Sequence, residues 1–189
     1  MNKKELLDAL KQQVSDNITL AQALLTEATE VLNDAPSPGT WSVLRIVEHL
    51  NTYNSYYVPK IKGITLKGAR SSANTYKPGM LGNYFVEMME PVNGVVIRKY
   101  KASKQHLPQI ITDTAIIQTY ISSQQELLDC IDRSVNIDLV KNKIPVSISP
   151  LIKLRLGDVY RFLVAHQQRH FVQINNTLKQ LSVSPQYQQ

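Results

Sequence analysis

Cysteine is nearly absent: Cys130 is the only one in 189 residues, so no disulfide can close within the chain and stability must come from packing. Its neighbours Leu127, Leu128 and Ile131 predict a half-buried, inert thiol rather than a nucleophile. Long apolar runs are missing too. No stretch approaches the roughly 18 residues that a membrane-spanning helix needs, and the opening Met1-Asn-Lys-Lys-Glu-Leu-Leu7 leaves no apolar segment for a signal peptide. A cytoplasmic protein without a membrane partner is expected. Internal repeats and low-complexity tracts are lacking, as are zinc-finger spacing, a recognition-helix signature and an aromatic RNA-binding motif. Those absences count against nucleic acid as partner although the net charge is +6.

The charge is also unevenly placed. Between Lys60 and Lys104 stand nine basic residues, among them Lys99, Lys101 and Lys104, against two acidic ones, Glu87 and Glu90. Elsewhere the chain is close to neutral, so the simplest reading is a solvated basic loop region. Its hydrophobic content of 43% suffices for one sizeable core, and we expect a single domain over residues 1–189.

Apolar residues recur at three- and four-residue intervals from Lys4 to Leu32, which predicts one long amphipathic helix ended by the turn-rich 33–40 stretch. A second helix should run from an N-cap at Ser42 to Tyr57 and be closed by Pro59. Glycine and proline then interrupt residues 60–112, which read as a long crossover with a short helix near Asn83–Met89. A third helix, capped by Asp113 or Thr114, carries Ile117, Tyr120, Ile121, Leu127, Leu128 and Ile131 on one face. The turn-rich connection 134–150 includes Ile144-Pro-Val-Ser-Ile148, a candidate strand pair. A fourth helix starts near Gly157 or Asp158 and runs to Leu181. Four long helices with a long connection between the second and third predict an all-α four-helix bundle with a crossover.

His166-Gln-Gln-Arg-His170 places two imidazoles one helical turn apart on the apolar stripe of that last helix. Core histidines hydrogen-bonded to neighbouring helices would give the same pattern. No His-Glu-x-x-His is present, so the general base of a zinc protease is lacking. His49, on the inner side of the second helix, could meet the pair, because bundle cores build metal sites from facing helices. Three neutral imidazoles with open water positions would form a catalytic-type centre. The fourth histidine, His106, reads as an exposed residue of the basic crossover.

Trp41-Ser-Val-Leu-Arg-Ile-Val-Glu-His49-Leu, followed by Leu156-Gly-Asp-Val-Tyr-Arg-Phe-Leu-Val-Ala-His166-Gln-Gln-Arg-His170-Phe-Val-Gln173, resembles the DinB/YfiT-like family of metalloenzyme-type bundles. The resemblance implies an up-down-down-up four-helix bundle and one divalent transition metal on His49, His166 and His170. Zinc and nickel are the first expectations for that ion, and iron or manganese also suit three imidazoles. It implies, by analogy of fold and site, transfer of a low-molecular-weight bacterial thiol such as bacillithiol to a small electrophilic substrate, or hydrolysis. Tyr53, one turn after His49, and Gln173, one turn after His170, are candidate substrate-binding residues; Arg169 is expected to point away from the metal. An anionic thiol would be attracted by the basic crossover. A homodimer through outer helix faces would be ordinary for such a bundle. The alternative is a non-catalytic, stress-associated helical binding protein whose histidines hold a structural metal or none.

Overall fold

A computed structural model describes residues 1–98 and 100–182; Lys99, part of the basic stretch, lies outside the described residues. The chain is mostly helical with one small two-stranded sheet: α1 (Lys3–Leu24), α2 (Thr29–Asn33), α3 (Val43–Lys67), α4 (Met80–Met89), α5 (Ala115–Arg133), β1 (Lys143–Val146), β2 (Ser149–Arg155) and α6 (Leu156–Ser182). Helix α5 packs against α1 and α3, α6 packs against the same two, and α4 lies on α6. The core between the four long helices contains Val14, Leu44, Ile46, Ile61, Ile117, Leu127, Ile131, Val159, Leu163 and Ile174, all fully buried. Among the described residues no helix is long and apolar enough to cross a membrane.

Local chemistry explains most of the helix ends. Asn2 starts α1 by accepting hydrogen bonds from the N–H groups of Lys4 and Glu5 at 2.8 and 3.2 Å. Ser42 caps α3 through Arg45 N–H, and Asp113 accepts the N–H of Ala115 at the head of α5. The first helix is shorter than its periodicity predicts. The N–H groups of Leu25, Thr26 and Glu27 bond three residues back, and the Thr26 hydroxyl takes the carbonyl of Ala23. That tightening closes α1, and the short α2 then delivers Leu32 to the core.

Pro59 does not end α3, contrary to expectation; the helix continues to Lys67 and stops at Gly68. An interior proline costs a helix about 3 kcal/mol. The extra turns bury Ile61 completely and Thr65 almost so, and one buried Ile is worth roughly 1.5–3 kcal/mol, so continuing the buried face outweighs the missing N–H. At Gly68 a Cβ would lie 2.6 Å from the carbonyl oxygen of Ile64, which reserves that stop for glycine. The candidate segment 144–148 supplies β1 but not its partner, which lies further on: β1 and β2 are antiparallel, with Ile144 opposite Leu154, and lead directly into α6. Cys130 is fully rather than half buried, and burial raises its thiol pKa, consistent with an inert group.

Two polar arrangements fix α6. Asn17 of α1 donates to Gln167, Gln167 donates to Asn54 of α3, and Asn54 donates to Ser123 of α5, so one chain of side-chain hydrogen bonds crosses all four long helices beside His166. At the other end, the buried Asp158 carboxylate accepts the Tyr76 hydroxyl and the Gly79 N–H. That clamp ties the start of α4 to the first turn of α6.

Candidate metal centre

His49 comes from the middle of α3, and His166 and His170 from successive turns of α6. The fold brings these three together: one ring nitrogen from each lies within 4.8 Å of the others. The ring of His49 is 4.7 Å from that of His170 and 5.2 Å from that of His166, centroid to centroid. All three are buried, at 3%, 3% and 8% exposure.

Hydrogen bonds assign those nitrogens. His49 Nδ1 sits 2.7 Å from the carbonyl oxygen of His106 and donates to it, which leaves Nε2 free. His170 Nδ1 donates to Gln173 Oε1 at 2.9 Å and likewise keeps an Nε2 lone pair. The Nε2 atoms of His166 and His170 are 3.2 Å apart. Two nitrogens each about 2.05 Å from a single ion would be separated by about 2.9–3.3 Å at octahedral to tetrahedral angles, so the pair is already at ligand spacing. His166 Nδ1 is buried with no hydrogen-bond partner among the described residues.

Burial dominates the acid–base behaviour here. It lowers the pKa of His49, holds His166 well below the usual imidazole range, and takes His170 to about 3, the neighbouring histidines adding like-charge repulsion for the last two. Neutral imidazoles, the form that ligates metals, are therefore the resting state. The donor set suits a divalent ion: three uncharged nitrogens, two of them oriented through their opposite ring nitrogen, with no cysteine or carboxylate in the cluster.

Tyr53 and Gln173 both lie at this centre. The Tyr53 ring is 4.1 Å from His166 and 5.1 Å from His49, and burial pushes its phenol up to about 12, with Tyr57 adding and Ser103 opposing. Phe162 stacks on His166 at 5.9 Å, and Trp41 packs 5.2 Å from His49. Arg169 leaves the histidine face to reach the Arg98 carbonyl and the Tyr100 ring.

His106 is the main correction. It is not an exposed loop residue but 4% exposed, stacked on Tyr53 at 3.9 Å, with Nδ1 3.1 Å from the Thr52 hydroxyl. Residues 104–106 make one 3-10 turn that points the His106 carbonyl at His49. A backbone carbonyl has no side-chain signature, so sequence patterning could not find that partner.

Comparison with known proteins yields one family: the DinB superfamily matches over residues 9–174. No curated protein and no solved structure matches the chain.

Proposed function

The chain belongs to the DinB superfamily, and from that premise we propose that it is a single-domain, up-down-down-up four-helix bundle in which His49, His166 and His170 bind one divalent transition metal for chemistry on a small-molecule substrate. The observation that carries this reading is the convergence of three buried, neutral imidazoles at ligand spacing with no protein group to complete the shell among the described residues. A divalent ion with three imidazole ligands and open positions lowers the pKa of a thiol or a water that binds it, which supplies a nucleophile at neutral pH. Transfer of a low-molecular-weight thiol to an electrophile is the favoured reaction, and hydrolysis is the second.

The chain's own groups have definite parts in that scheme. The His106 carbonyl and Gln173 orient the rings of His49 and His170 through their Nδ1 atoms. Tyr53 keeps its proton near neutral pH and can donate a hydrogen bond to a bound anion. Trp41, Tyr53 and Phe162 surround the rings with apolar surface that excludes bulk water. A second reading, a binding protein with a structural ion, is favoured by one feature: the three histidines are almost inaccessible.

Elemental analysis of untagged protein tests the proposal. About one equivalent of zinc, nickel, iron or manganese is expected in the parent and none in a folded His166→Ala, His170→Ala variant. A parent that takes up no metal even after incubation with these ions defeats the metal-centre reading and leaves a helical binding protein whose core histidines are only packed. Exchange of the bound ion within minutes, with binding of added thiols, separates an open centre from a structural one.

A further inference from the structure

Helix α4 packs against α6 and β2 by one face and turns the other outward. On the inner face Gly82 and Val86 are buried, and the Phe85 ring lies 6.2 Å from that of Phe162. On the outer face Met80 is 93% exposed, Tyr84 57% and Leu81 45%, and Met88, part-buried, continues the row one turn on. Steps of three and four residues put these side chains in one stripe. Just past the end of the helix, Val92 and Val95 pair through their backbones and expose two more apolar side chains. Single apolar residues on a surface are ordinary, whereas a contiguous row of them marks a surface that another molecule covers.

The charges along the stripe identify the occupant. Lys77 lies just ahead of α4, Glu87 in its last turn and Glu90 at its end; all three are exposed. The ion pairs among the described residues are Lys4–Asp8, Lys11–Asp132, Lys62–Glu126 and Arg161–Asp158, none of which includes them. Arg155, whose guanidinium donates to the Lys77 carbonyl, adds positive charge at the same end. The surface is thus basic at one end, apolar in the middle and acidic at the other, and it complements its own reverse. A two-fold axis near Tyr84 lays two α4 helices antiparallel, apolar row on apolar row, and brings Lys77 and Arg155 of each copy toward Glu87 and Glu90 of the other. The same setting opposes the helix dipoles and places Glu90 beside the positive end of the neighbouring helix. An anionic membrane is the poorer match, because Glu87 and Glu90 stand at the face that would meet it.

We propose that the outer face of α4 is the contact of a symmetric homodimer, with Tyr84 of each copy against Tyr84 of the other at the two-fold axis. The metal reading is not involved. The rings of Tyr84, Phe85, Phe162 and His166 form a file with successive centroids 5.9, 6.2 and 5.9 Å apart, so two aromatic side chains stand between the contact and the histidine centre. Ten helical residues span about 15 Å. The contact is therefore at the small end of specific interfaces, about 1,200 Å² in total, and association in the micromolar range is expected.

Sedimentation equilibrium of the full chain from about 1 to 300 μM tests it, with the 21.4 kDa chain as the unit of mass. The parent is expected to approach twice that mass within the range. Tyr84→Lys, which leaves the inner face of α4 untouched, should weaken association at least about tenfold with an unchanged far-ultraviolet circular dichroism spectrum. Lys77→Glu and Glu90→Lys should each weaken it about three- to tenfold, because a two-fold axis counts every substitution twice, and the double variant should recover most of the loss. In a Cys130→Ser background, Tyr84→Cys should cross-link two chains on oxidation, whereas Leu20→Cys, exposed on α1, should not. A parent that stays monomeric throughout the range, a dimer that Tyr84→Lys leaves intact, or charge reversals that the double variant fails to rescue overturns the proposal. Flotation of a monomeric parent with vesicles of phosphatidylserine and phosphatidylcholine, lost in Tyr84→Lys, assigns the face to a membrane and overturns it as well.

Discussion

Acidifying the metal-free protein should unfold it near pH 5, for a reason that lies in four side chains. Unfolded histidine titrates near 6.5, whereas burial lowers His49, takes His106 to about 4 and His170 to about 3, and holds His166 well below the usual imidazole range. Below pH 6.5 the unfolded chain therefore takes up protons that the folded chain refuses, so stability falls as pH falls. The loss begins at the unfolded pKa and for each group levels off only below its folded value, near pH 4 for His106 and pH 3 for His170. At pH 5 each such group costs about 2 kcal/mol relative to pH 7, nearly independent of how far below 4.5 its folded pKa lies. His106, His166 and His170 together cost about 6 kcal/mol, with His49 adding in the same direction, which is comparable to the whole stability of an ordinary domain, about 5–15 kcal/mol. Urea titrations of metal-free protein at pH 7 and pH 5 measure the difference. A His166→Gln, His170→Gln variant supplies the control, because carboxylates contribute equally in both proteins and the variant should be less pH-sensitive by about 4 kcal/mol. If parent and variant lose the same stability between the two pH values, these histidines titrate normally and the burial argument is wrong.

Three further substitutions probe the centre and the packing of the helices. Gln173→Leu removes the acceptor of His170 Nδ1, and metal affinity measured by chelator competition should drop about 10- to 100-fold; an unchanged affinity would mean that Gln173 does not orient the ring. Gly82→Ala places a Cβ 2.2 Å from Asp158 Cγ, an atom that cannot retreat while Tyr76 and Gly79 hold its carboxylate. A loss of about 1–3 kcal/mol is expected, seen as a Tm lowered by about 2–12 °C, and a Tm equal to that of the parent would show that the α4–α6 contact is loose. Gln124 is fully buried with neither amide atom hydrogen-bonded among the described residues. Gln124→Met should therefore raise stability by about 1–3 kcal/mol in urea unfolding, and destabilisation instead would reveal bridging water.

How much of the fold is legible in the sequence follows from which contacts are local. The stripe of α6 carries its own period, so the spacing of His166 and His170 suffices to put them on one face, and Ser42 marks the start of α3 through a bond to Arg45, three residues on. The proline rule misplaces the end of α3 because that rule is local while the reward for overriding it is not: Ile61 and Thr65 are buried by other elements. Periodicity hides the break after Leu24 for the converse reason, since Leu32 keeps the apolar period across a turn that leaves Leu25 exposed.

The crossover shows the same division most sharply. It has no hydrophobic period because distant partners hold it: Met1 and Tyr76 exchange backbone bonds, Ser71 N–H donates to Asn136, Asp138 N–H donates to Ala69, and Asp158 takes Gly79. Every one of these spans more than sixty residues of chain, beyond the reach of any windowed pattern. Yet this segment delivers the His106 carbonyl to His49 and lays Arg98 and Tyr100 against Arg169. The histidines that could ligate an ion are thus a local property of two helices. The orientation of His49 and part of the enclosure are set by crossover chain, so substitutions in residues 98–106 should change access and ligand choice while leaving the helices that bear the histidines intact.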